Sequence, residues 1–352
     1  MINSKIPVVI PSYEPDDCLV STCETLILSG IKNIIVVNDG SNTEYDRYFN
    51  AVEGLDVVVL THTENRGKGR ALKTAFEYIL KEMPDSIGCI TADSDGQHSQ
   101  KDIMNCMNAL TNNPNSLILG CRDFSGDNVP AKSKFGNELT KKICSFLCGV
   151  KVSDTQTGLR GIPIKFMAEL LYVKGERFEF ETYMLIQTKE RYQIFEVKID
   201  TIYDSPKNHK THFNPIKDSI RIYKIFAGIF LKYIVSSVSS FLLDLFLFTL
   251  FSKTLKPSYP FLYVTLATVF ARLISSTYNC LVNYRFVFRS KNKITWAIFK
   301  YFILVAVQMC LSAFFVTVGV KIISFVPDVI VKMVVDTILF FGSYYFQRRF
   351  IF

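Results

Sequence analysis

Two carboxylates, Asp93 and Asp95, stand two positions apart directly after an apolar stretch. That stretch, residues 86–90, predicts a buried strand. Side chains i and i+2 at an extended strand end point to the same side, so both carboxylates can face one ligand. Such oxygen pairs suit Mg²⁺ or Mn²⁺, which also bind substrate phosphates. Because Asp-x-Asp-Gly is also ordinary turn chemistry, a solvated turn is the alternative.

The elements that position these carboxylates follow a regular alternation. Apolar strands are predicted at 5–10, 34–37 and 57–60, and amphipathic helices lie between them, including one over 71–81. Continuous apolar strands alternating with helices indicate an α/β fold with a mainly parallel sheet, in which ligands bind at the carboxyl ends of the strands. Polar residues follow several of these strand ends: Ser12, Tyr13, Glu14, Asp39, Asp93 and Asp95. Their convergence predicts a site at that edge.

A glycine-rich turn, 65–70, opens the helix over 71–81 and contains Lys68. Backbone N–H groups and cations at a helix N-terminus favour phosphate binding. The turn has neither the Walker spacing nor the dinucleotide-binding glycine spacing. A charged helix cap without a ligand is the alternative.

Short segments with distinctive residues follow one another in a fixed order. They are 8–13, 37–41, 65–69, 93–98, 120–124, 133–137 and 154–160. As a set they resemble glycosyltransferase family 2 with the GT-A fold, as in dolichol- and polyprenyl-phosphate sugar synthases. The resemblance spans residues 5–225 and implies a GT-A (Rossmann-like) domain that binds a nucleotide sugar.

The resemblance also implies roles for individual residues. The first two segments would hold the base and ribose, and the Asp-x-Asp segment the metal and diphosphate. The nucleotide-sugar candidates are Pro11, Tyr13, Glu14, Asp39, Lys68, Asp93, Gln97 and Asp154, and the metal candidates are Asp93, Asp95 and Gln97. The family often has a second Asp where this chain has Asn38, whereas Asp39 keeps the position that usually contacts the base.

Arg122 and Lys134, by family position and charge, are the candidates for the acceptor phosphate and join Asp95 as the catalytic set. The family often has Arg in place of Lys134, and Lys lacks its bidentate geometry. Glu181 is a candidate for sugar contact, with a solvated helix charge as the alternative. The other sugar or loop candidates are Gln156, His209, Lys210 and His212. The last three lie in a polar segment that is either a linker or a loop closing over the donor.

Two amphipathic helices, about 136–150 and 216–230, are predicted to lie in the membrane interface. Each has apolar residues on one face and Lys or Arg on another. A helix packed against a protein core has the same periodicity, so that alternative stays open. If both are interfacial, the site lies close to the lipid surface.

The second half of the chain predicts an all-α membrane domain. Most of the 30 Phe residues follow residue 228, and four apolar spans are present: 230–251, 259–283, 296–320 and 327–346. Each approaches the roughly 20 residues that cross a bilayer. Basic residues at 285–293 and 348–349 place the first half and the C-terminus in the cytosol, by the positive-inside rule. The predicted domains are therefore 1–228 and 229–352, in the cytoplasmic membrane.

An internal repeat organises this second half. The segment 284–288 recurs as 348–352, which indicates one helical hairpin used twice in the same orientation. The half resembles the GtrA-like membrane family, which often ends its helices with such Arg-aromatic-x-Phe segments. Asp244, Arg272 and Asp336 lie inside the spans, and a buried Asp244–Arg272 pair is one interpretation.

Composition restricts the functional classes further. The net charge is +8, but no basic-aromatic platform for nucleic acid appears in the first half. The nine Cys residues show no metal-ligand spacing, which indicates reduced thiols facing the cytosol. The N-terminus reaches a strand within a few residues, and no cleavable signal peptide is predicted.

These patterns predict an inverting, metal-dependent transfer of a sugar to a membrane polyprenyl phosphate, undecaprenyl or dolichyl. The donor is a UDP- or GDP-sugar, with UDP favoured, and self-association is left open. One alternative is a lipid-linked-sugar transporter whose transferase domain only binds. Another is a processive polysaccharide synthase, which would need a Gln-x-x-Arg-Trp motif, whereas the only tryptophan, Trp296, lies in a span.

Overall fold

The computed structural model describes residues 5–122, 131–189, 191–200, 217–290, 292–322 and 325–352; at 131–135, 328 and 329 it describes the backbone alone. The chain divides into two compact units, Met1–Lys224 and Ile225–Phe352.

The first unit contains a seven-stranded sheet within its described residues. Its strands are β1 (Val8–Ser12), β2 (Ile34–Asn38), β3 (Val58–Thr61), β4 (Gly88–Thr91), β5 (Ser116–Arg122), β6 (Arg160–Pro163) and β7 (Gln193–Ile199). Their order is β3-β2-β1-β4-β6-β5-β7. Strand β6 runs antiparallel to both of its neighbours, and the other pairings are parallel. The predicted, mainly parallel α/β sheet is therefore confirmed.

Helices cover both faces of this sheet. In the first unit they are α1 (Asp17–Leu28), α2 (Asp46–Glu53), α3 (Lys68–Glu82), α4 (Gln100–Asn112), α5 (Ala131–Cys148), α6 (Ile164–Leu170) and α7 (Glu179–Gln187). Every residue of β1, β2 and β4 is buried. Alternate residues of these strands join the apolar side chains of α1 and α4 in one core cluster. Burial on both faces explains why these strands are continuously apolar rather than alternating.

The sheet brings the carboxyl ends of several strands to one edge. The parallel strands β1, β2, β4 and β5 all end there, at Ser12, Asn38, Thr91 and Arg122. Because β6 is antiparallel, the segment that enters it, 153–159, lies at the same edge. The side chain of Thr91 fixes that segment by donating to the carbonyl of Gly158 at 2.8 Å. Segments far apart in sequence therefore meet around Asp93.

Helix α5 buries a face different from the apolar one. Its buried residues are Asn137, Thr140, Cys144 and Cys148. The apolar face within the helix is partly exposed, with Leu139 at 38% and Ile143, Phe146 and Leu147 half-buried, whereas Val150, just beyond its end, is buried. This arrangement agrees with an interfacial helix better than with a core helix, although the membrane contact itself stays a prediction.

All regular secondary structure in the described part of the second unit is helical. Its helices are α8 (Lys217–Leu255, within which the unit boundary falls), α9 (Tyr263–Val282), α10 (Ile294–Ile322) and α11 (Asp328–Phe346). One π-helical turn, Asn283–Val287, follows α9, and another, Gln347–Ile351, follows α11. In the described part of the chain, α8 and α10 are long and apolar enough to cross a membrane.

The predicted hairpin repeat is visible in the contacts of the second unit. Asn283 and Gln347 open the two π-turns, and the Nδ2 of Asn283 donates to the Oε1 of Gln347 at 2.9 Å. The rings of Phe288 and Phe352, which hold equivalent places after those turns, stack with centroids 5.2 Å apart. Equivalent residues of the two hairpins therefore meet each other.

Candidate active site

Asp95 lies in a turn that follows β4, residues 94–96, rather than in an extended strand end as predicted, whereas Asp93 lies between the strand and this turn. The turn is closed by the backbone N–H of Gln97, which donates to the Oδ1 of Asp95 at 3.1 Å, and Gly96 has a φ of +73°. The two carboxylates influence each other: burial and, next, the charge of Asp93 raise the pKa of Asp95. The turn is therefore present, and the metal site, which was the other interpretation, stays a prediction.

Three residues, Lys68, His98 and Gly158, surround the carboxylate of Asp93. The Nζ of Lys68 donates to its Oδ1 at 2.6 Å, and the Nε2 of His98 lies 3.4 Å from its Oδ2. Gly158 leaves no free space, because a Cβ there would be 2.2 Å from Oδ2. Burial alone raises the pKa of Asp93, but Lys68 and His98 outweigh burial, and the pKa falls below its ordinary value. Asp93 is therefore held as a positioned anion.

Lys68 connects two distant elements of the chain. Its Nζ lies 2.6 Å from Asp93 and 3.0 Å from the Oε1 of Glu181 in α7. Burial lowers the pKa of Lys68, but the charges of Asp93 and Glu181 outweigh burial and raise it above its ordinary value. Since the side chain of Glu181 is only 9% exposed, the solvated helix charge considered for it is wrong. Glu181 is paired with Lys68 in the structure, and its contact with the sugar stays a prediction.

The glycine-rich turn holds an internal carboxylate in place of a phosphate. The backbone N–H groups of Arg66 and Gly67 donate to the two oxygens of Asp39, at 3.0 and 2.7 Å. The Nδ1 of His62 lies 2.8 Å from the same carboxylate, which is buried. These two N–H groups are therefore not free for a phosphate, and phosphate binding by the rest of the turn stays a prediction. Asp39 positions the turn, and its contact with a base stays a prediction.

Gly67 allows that turn to approach the segment before α7. It has a φ of +100°, and a Cβ at this position would lie 2.4 Å from the Cγ of Arg177. The next glycine, Gly69, would bring a Cβ to 2.6 Å from the Cβ of Phe180. Side chains at either position would separate Lys68 from Glu181, so the glycines serve close packing.

The end of β1 is fixed by a second short hydrogen-bond chain. The N–H of Glu14 donates to the Oγ of Ser41 at 2.8 Å, and the N–H of Ser41 donates to the Oδ1 of Asn38 at 2.9 Å. Glu14 has a φ of +46°, and Tyr13 beside it has a raised pKa, caused by burial and then by Glu14. Pro11 is buried within β1. Asn38 therefore has a local structural role where the family often has Asp.

Arg122, at the end of β5, forms a bidentate pair with Asp154. Its Nε donates to Oδ2 at 2.7 Å and its Nη2 to Oδ1 at 3.2 Å. Asp154 is fully buried and also accepts from the N–H of Gln156 at 2.9 Å, whereas the side chain of Arg122 is 21% exposed. Asp154 thus orients Arg122, and its predicted contact with the donor has no support in this geometry. Arg122 is the partner that can face a ligand.

Several predicted positions cannot be placed. His209, Lys210 and His212 lie outside the described residues, and of Lys134 only the backbone, in α5, is described. Among the described residues, no group of three or more His, Cys, Asp or Glu side chains could hold a metal. Two carboxylates still fit a hard dication that takes its other oxygens from a substrate and water.

Arg160 is a site residue to which the sequence assigned no role. It is buried, and its guanidinium donates to the carbonyl of Thr157 at 2.9 Å and to that of Glu181 at 2.8 Å. It thereby joins the segment around Gly158 to α7. The motif 154–160 contains it, but neither spacing nor residue type indicates which helix it contacts.

Comparisons with known proteins agree with these two units. Residues 8–171 match the family Glycosyl transferase family 2, and residues 227–352 match the GtrA/DPMS transmembrane domain. An uncharacterised protein of Methanocaldococcus jannaschii is 30% identical over 206 residues, which cover 57% of this chain and 83% of that protein. The UDP-N-acetylglucosamine–dolichyl-phosphate N-acetylglucosaminyltransferase of Methanococcus voltae is 28% identical over 226 residues, covering 58% and 88%. Among solved structures, glucosyl-3-phosphoglycerate synthase from Mycobacterium tuberculosis has a TM-score of 0.48 at 15% identity, covering 62% of this chain and 75% of that one.

Proposed function

Because this chain belongs to glycosyltransferase family 2 and carries a GtrA/DPMS transmembrane domain, we propose that it transfers a sugar from a nucleotide sugar to a membrane polyprenyl phosphate. One observation carries the proposal: two half-buried acids, Asp93 and Asp95, and the partly exposed Arg122 share one edge of a sheet whose chain continues into apolar helices. The relative from Methanococcus voltae, by its name, uses UDP-N-acetylglucosamine and dolichyl phosphate, and it favours a UDP-sugar here.

The donor would lie over the ends of β1, β2 and β4. Tyr13 and Glu14 border that edge, and Asp39 keeps the neighbouring turn in place. Asp93 and Asp95, with Gln97, are the groups that would hold Mg²⁺ or Mn²⁺, which would supply positive charge to the diphosphate of the leaving group. Lys68, beside Asp93, adds a cation at the same place.

The acceptor phosphate would be bound by Arg122 together with Lys134. Arg122 is preset for this because Asp154 fixes two of its nitrogens while 21% of its side chain is exposed. Charge-assisted bonds from arginine to phosphate are strong and directional. Asp154 would therefore contribute to acceptor binding through Arg122.

The proposed reaction needs few groups. A phosphate monoester is largely ionised at neutral pH, so its oxygen can attack without a general base. That oxygen forms a bond to the anomeric carbon while the bond from this carbon to the diphosphate breaks, and a nucleoside diphosphate leaves. Direct displacement inverts the anomeric centre. The protein then contributes orientation and electrostatic stabilisation.

The second unit would anchor the protein in the membrane. We infer four spans, α8 to α11, with the transferase unit and the C-terminus in the cytosol, from the basic residues around 285–293 and 348–349. The acceptor cannot leave the bilayer, so its phosphate has to be met at headgroup depth. The partly exposed apolar face of α5 supports placement of the site at that depth.

The test is a transfer assay with full-length protein in liposomes that contain polyprenyl phosphate. A panel of radiolabelled UDP- and GDP-sugars would be supplied with Mg²⁺, with Mn²⁺ or with a chelator. We expect one sugar to enter the lipid fraction in a metal-dependent reaction that Asp95→Asn abolishes. Asp85→Asn, at an exposed carboxylate between α3 and β4, is the matched control and should leave the rate unchanged.

Three outcomes would contradict the proposal. If no sugar of the panel reaches the lipid although the protein binds nucleotide sugar, the transferase unit only binds and the transporter alternative gains support. If Asp95→Asn is as active as the wild type, the metal assignment is wrong. A product that grows by many sugars would instead indicate a processive synthase.

A further inference from the structure

The two hairpins of the second unit repeat each other in their contacts. In the first, the Oγ of Ser240 donates to the carbonyl of Ser275 at 2.9 Å. In the second, the Nε2 of Gln308 donates to the carbonyl of Leu339 at 3.0 Å, at the equivalent positions. Equivalent residues of the two hairpins also contact each other: Asn283 donates a hydrogen bond to Gln347. Parallel hairpins that meet in this way are related by an approximate two-fold axis along the helices.

This axis places Arg272 and Asp336 on opposite sides of the unit at one depth. Arg272 stands eleven residues before Asn283, and Asp336 stands eleven residues before Gln347. Arg272 is the tenth residue of the 20-residue helix α9, so at 1.5 Å per residue it lies about 14 Å from either end. With α9 and α11 spanning the bilayer as proposed above, equivalent positions near the middle of the two spans carry opposite charges.

Both charges face outward in the isolated chain. The side chain of Arg272 is 61% exposed and that of Asp336 is 47% exposed. Charged side chains within a bilayer are rare and almost always face protein or a water-filled cavity rather than lipid. Their exposure in one chain therefore indicates that something else covers these two faces.

The hydrogen-bonding capacity of Arg272 is largely unused. Its one ionic contact is with Asp244, at 3.5 Å, and the part of the chain that the structure describes offers its guanidinium no hydrogen bond. A guanidinium has five N–H donors. Asp336 accepts from Ser312 at 2.7 Å and lies 3.0 Å from Lys332, which is itself 60% exposed. The outward side of Arg272 requires an acceptor, and the outward side of Asp336 can provide one.

We propose that the second unit associates head-to-tail with a second copy of this chain, so that Arg272 of one copy faces Asp336 of the next. The charges are complementary and at the same depth, and a heterologous contact of this kind closes into a ring or extends. A two-fold symmetric contact through either face would instead bring like residues together, with Arg272 against Arg272. The proposal is independent of the transfer reaction.

Cysteine cross-linking of full-length protein in liposomes tests the direction of this contact. Val269 and Met333 are equivalent exposed residues, each three positions before its charged residue. The exposed native thiol, Cys310, would first be replaced by alanine. In that background we expect a mixture of V269C and M333C chains to form disulfide-linked dimers on oxidation, and neither variant alone to do so. Self-linking of either variant would overturn the head-to-tail arrangement.

Charge removal tests the role of the pair. By native mass spectrometry from nanodiscs, Arg272→Gln and Asp336→Asn should each raise the ratio of monomer to oligomer at least about tenfold. Arg285→Gln, at an exposed cation after α9, should leave the ratio unchanged. A wild-type protein that stays monomeric at every protein-to-lipid ratio would refute the proposal. So would a monomer that retains an anionic lipid which Arg272→Gln releases, because a lipid phosphate would then be the acceptor.

Discussion

Gly158→Ala displaces one carboxylate of the candidate site without altering any charge. The new Cβ would lie 2.2 Å from the Oδ2 and 2.6 Å from the Oδ1 of Asp93, so the carboxylate has to move by about 1 Å. Gly158 itself cannot retreat easily, because Thr91 holds its carbonyl at 2.8 Å. A 1 Å misplacement can reduce catalysis by about 100-fold, or ~2.7 kcal/mol of transition-state stabilisation. We expect a loss of this size in kcat/KM for the donor.

Two controls distinguish displacement of Asp93 from general damage. Gly54→Ala, whose Cβ would meet a carbonyl at 3.3 Å far from the site, should be nearly neutral. The double variant Gly158→Ala with Asp93→Ala should be no less active than Asp93→Ala alone, since both changes act through one side chain. Thermal denaturation would verify that each variant is folded. If Gly158→Ala keeps its activity within about threefold, the position of Asp93 does not limit the reaction.

Three further predictions concern charged pairs. Arg122→Ala should reduce acceptor use by about ten- to a hundredfold. It should also reduce the free energy of unfolding by about 3–5 kcal/mol, because Asp154 would be left buried and unpaired. Acceptor kinetics and urea denaturation that show no change would refute both roles. Glu181→Gln should weaken donor binding severalfold in calorimetry because Lys68 loses one anchor, whereas a changed preference among sugars would show direct sugar contact instead. For Glu176, burial raises the pKa but Lys73 and Arg70 outweigh it, so the pKa lies below its ordinary value of 4.5, and the stability that the group adds is lost as the pH falls through the folded value. The difference in melting temperature between wild type and Glu176→Gln should therefore shrink at acidic pH, and a constant difference would contradict the linkage.

The sequence predicts well where several candidate residues lie in the fold, because local chemistry and strand order suffice for that. Asp93, Asp95 and Arg122 follow strands, and parallel strands bring their carboxyl ends to one edge regardless of how the helices pack. The hairpin repeat is predictable for a similar reason, because the segment 284–288 and its copy at 348–352 are explicit in the sequence. Strand boundaries agree to within a few residues.

The sequence could not predict which groups each charged side chain contacts in the folded protein. Lys68 and Glu181 are 113 positions apart, and no periodicity indicates that α3 and α7 meet. Arg122 and Asp154 were both candidates, yet as separate ligands of acceptor and donor rather than as a pair. The N–H groups of the glycine-rich turn were assigned to a phosphate, whereas Asp39, contributed by a different strand end, takes two of them. Such pairings depend on tertiary packing.

The balance of charge around Lys68 indicates what the site can accept. Asp93, Asp95 and Glu181 are three carboxylates around one ammonium, so the cluster carries a net charge of −2 when all of them are ionised. The mutual repulsion of the acids appears as the raised pKa of Asp95. A diphosphate alone would be repelled by this cluster, since the nearby N–H groups of Arg66 and Gly67 already bind Asp39. A dication would neutralise the acids first and then attract the diphosphate, so this balance of charge favours the proposed metal dependence.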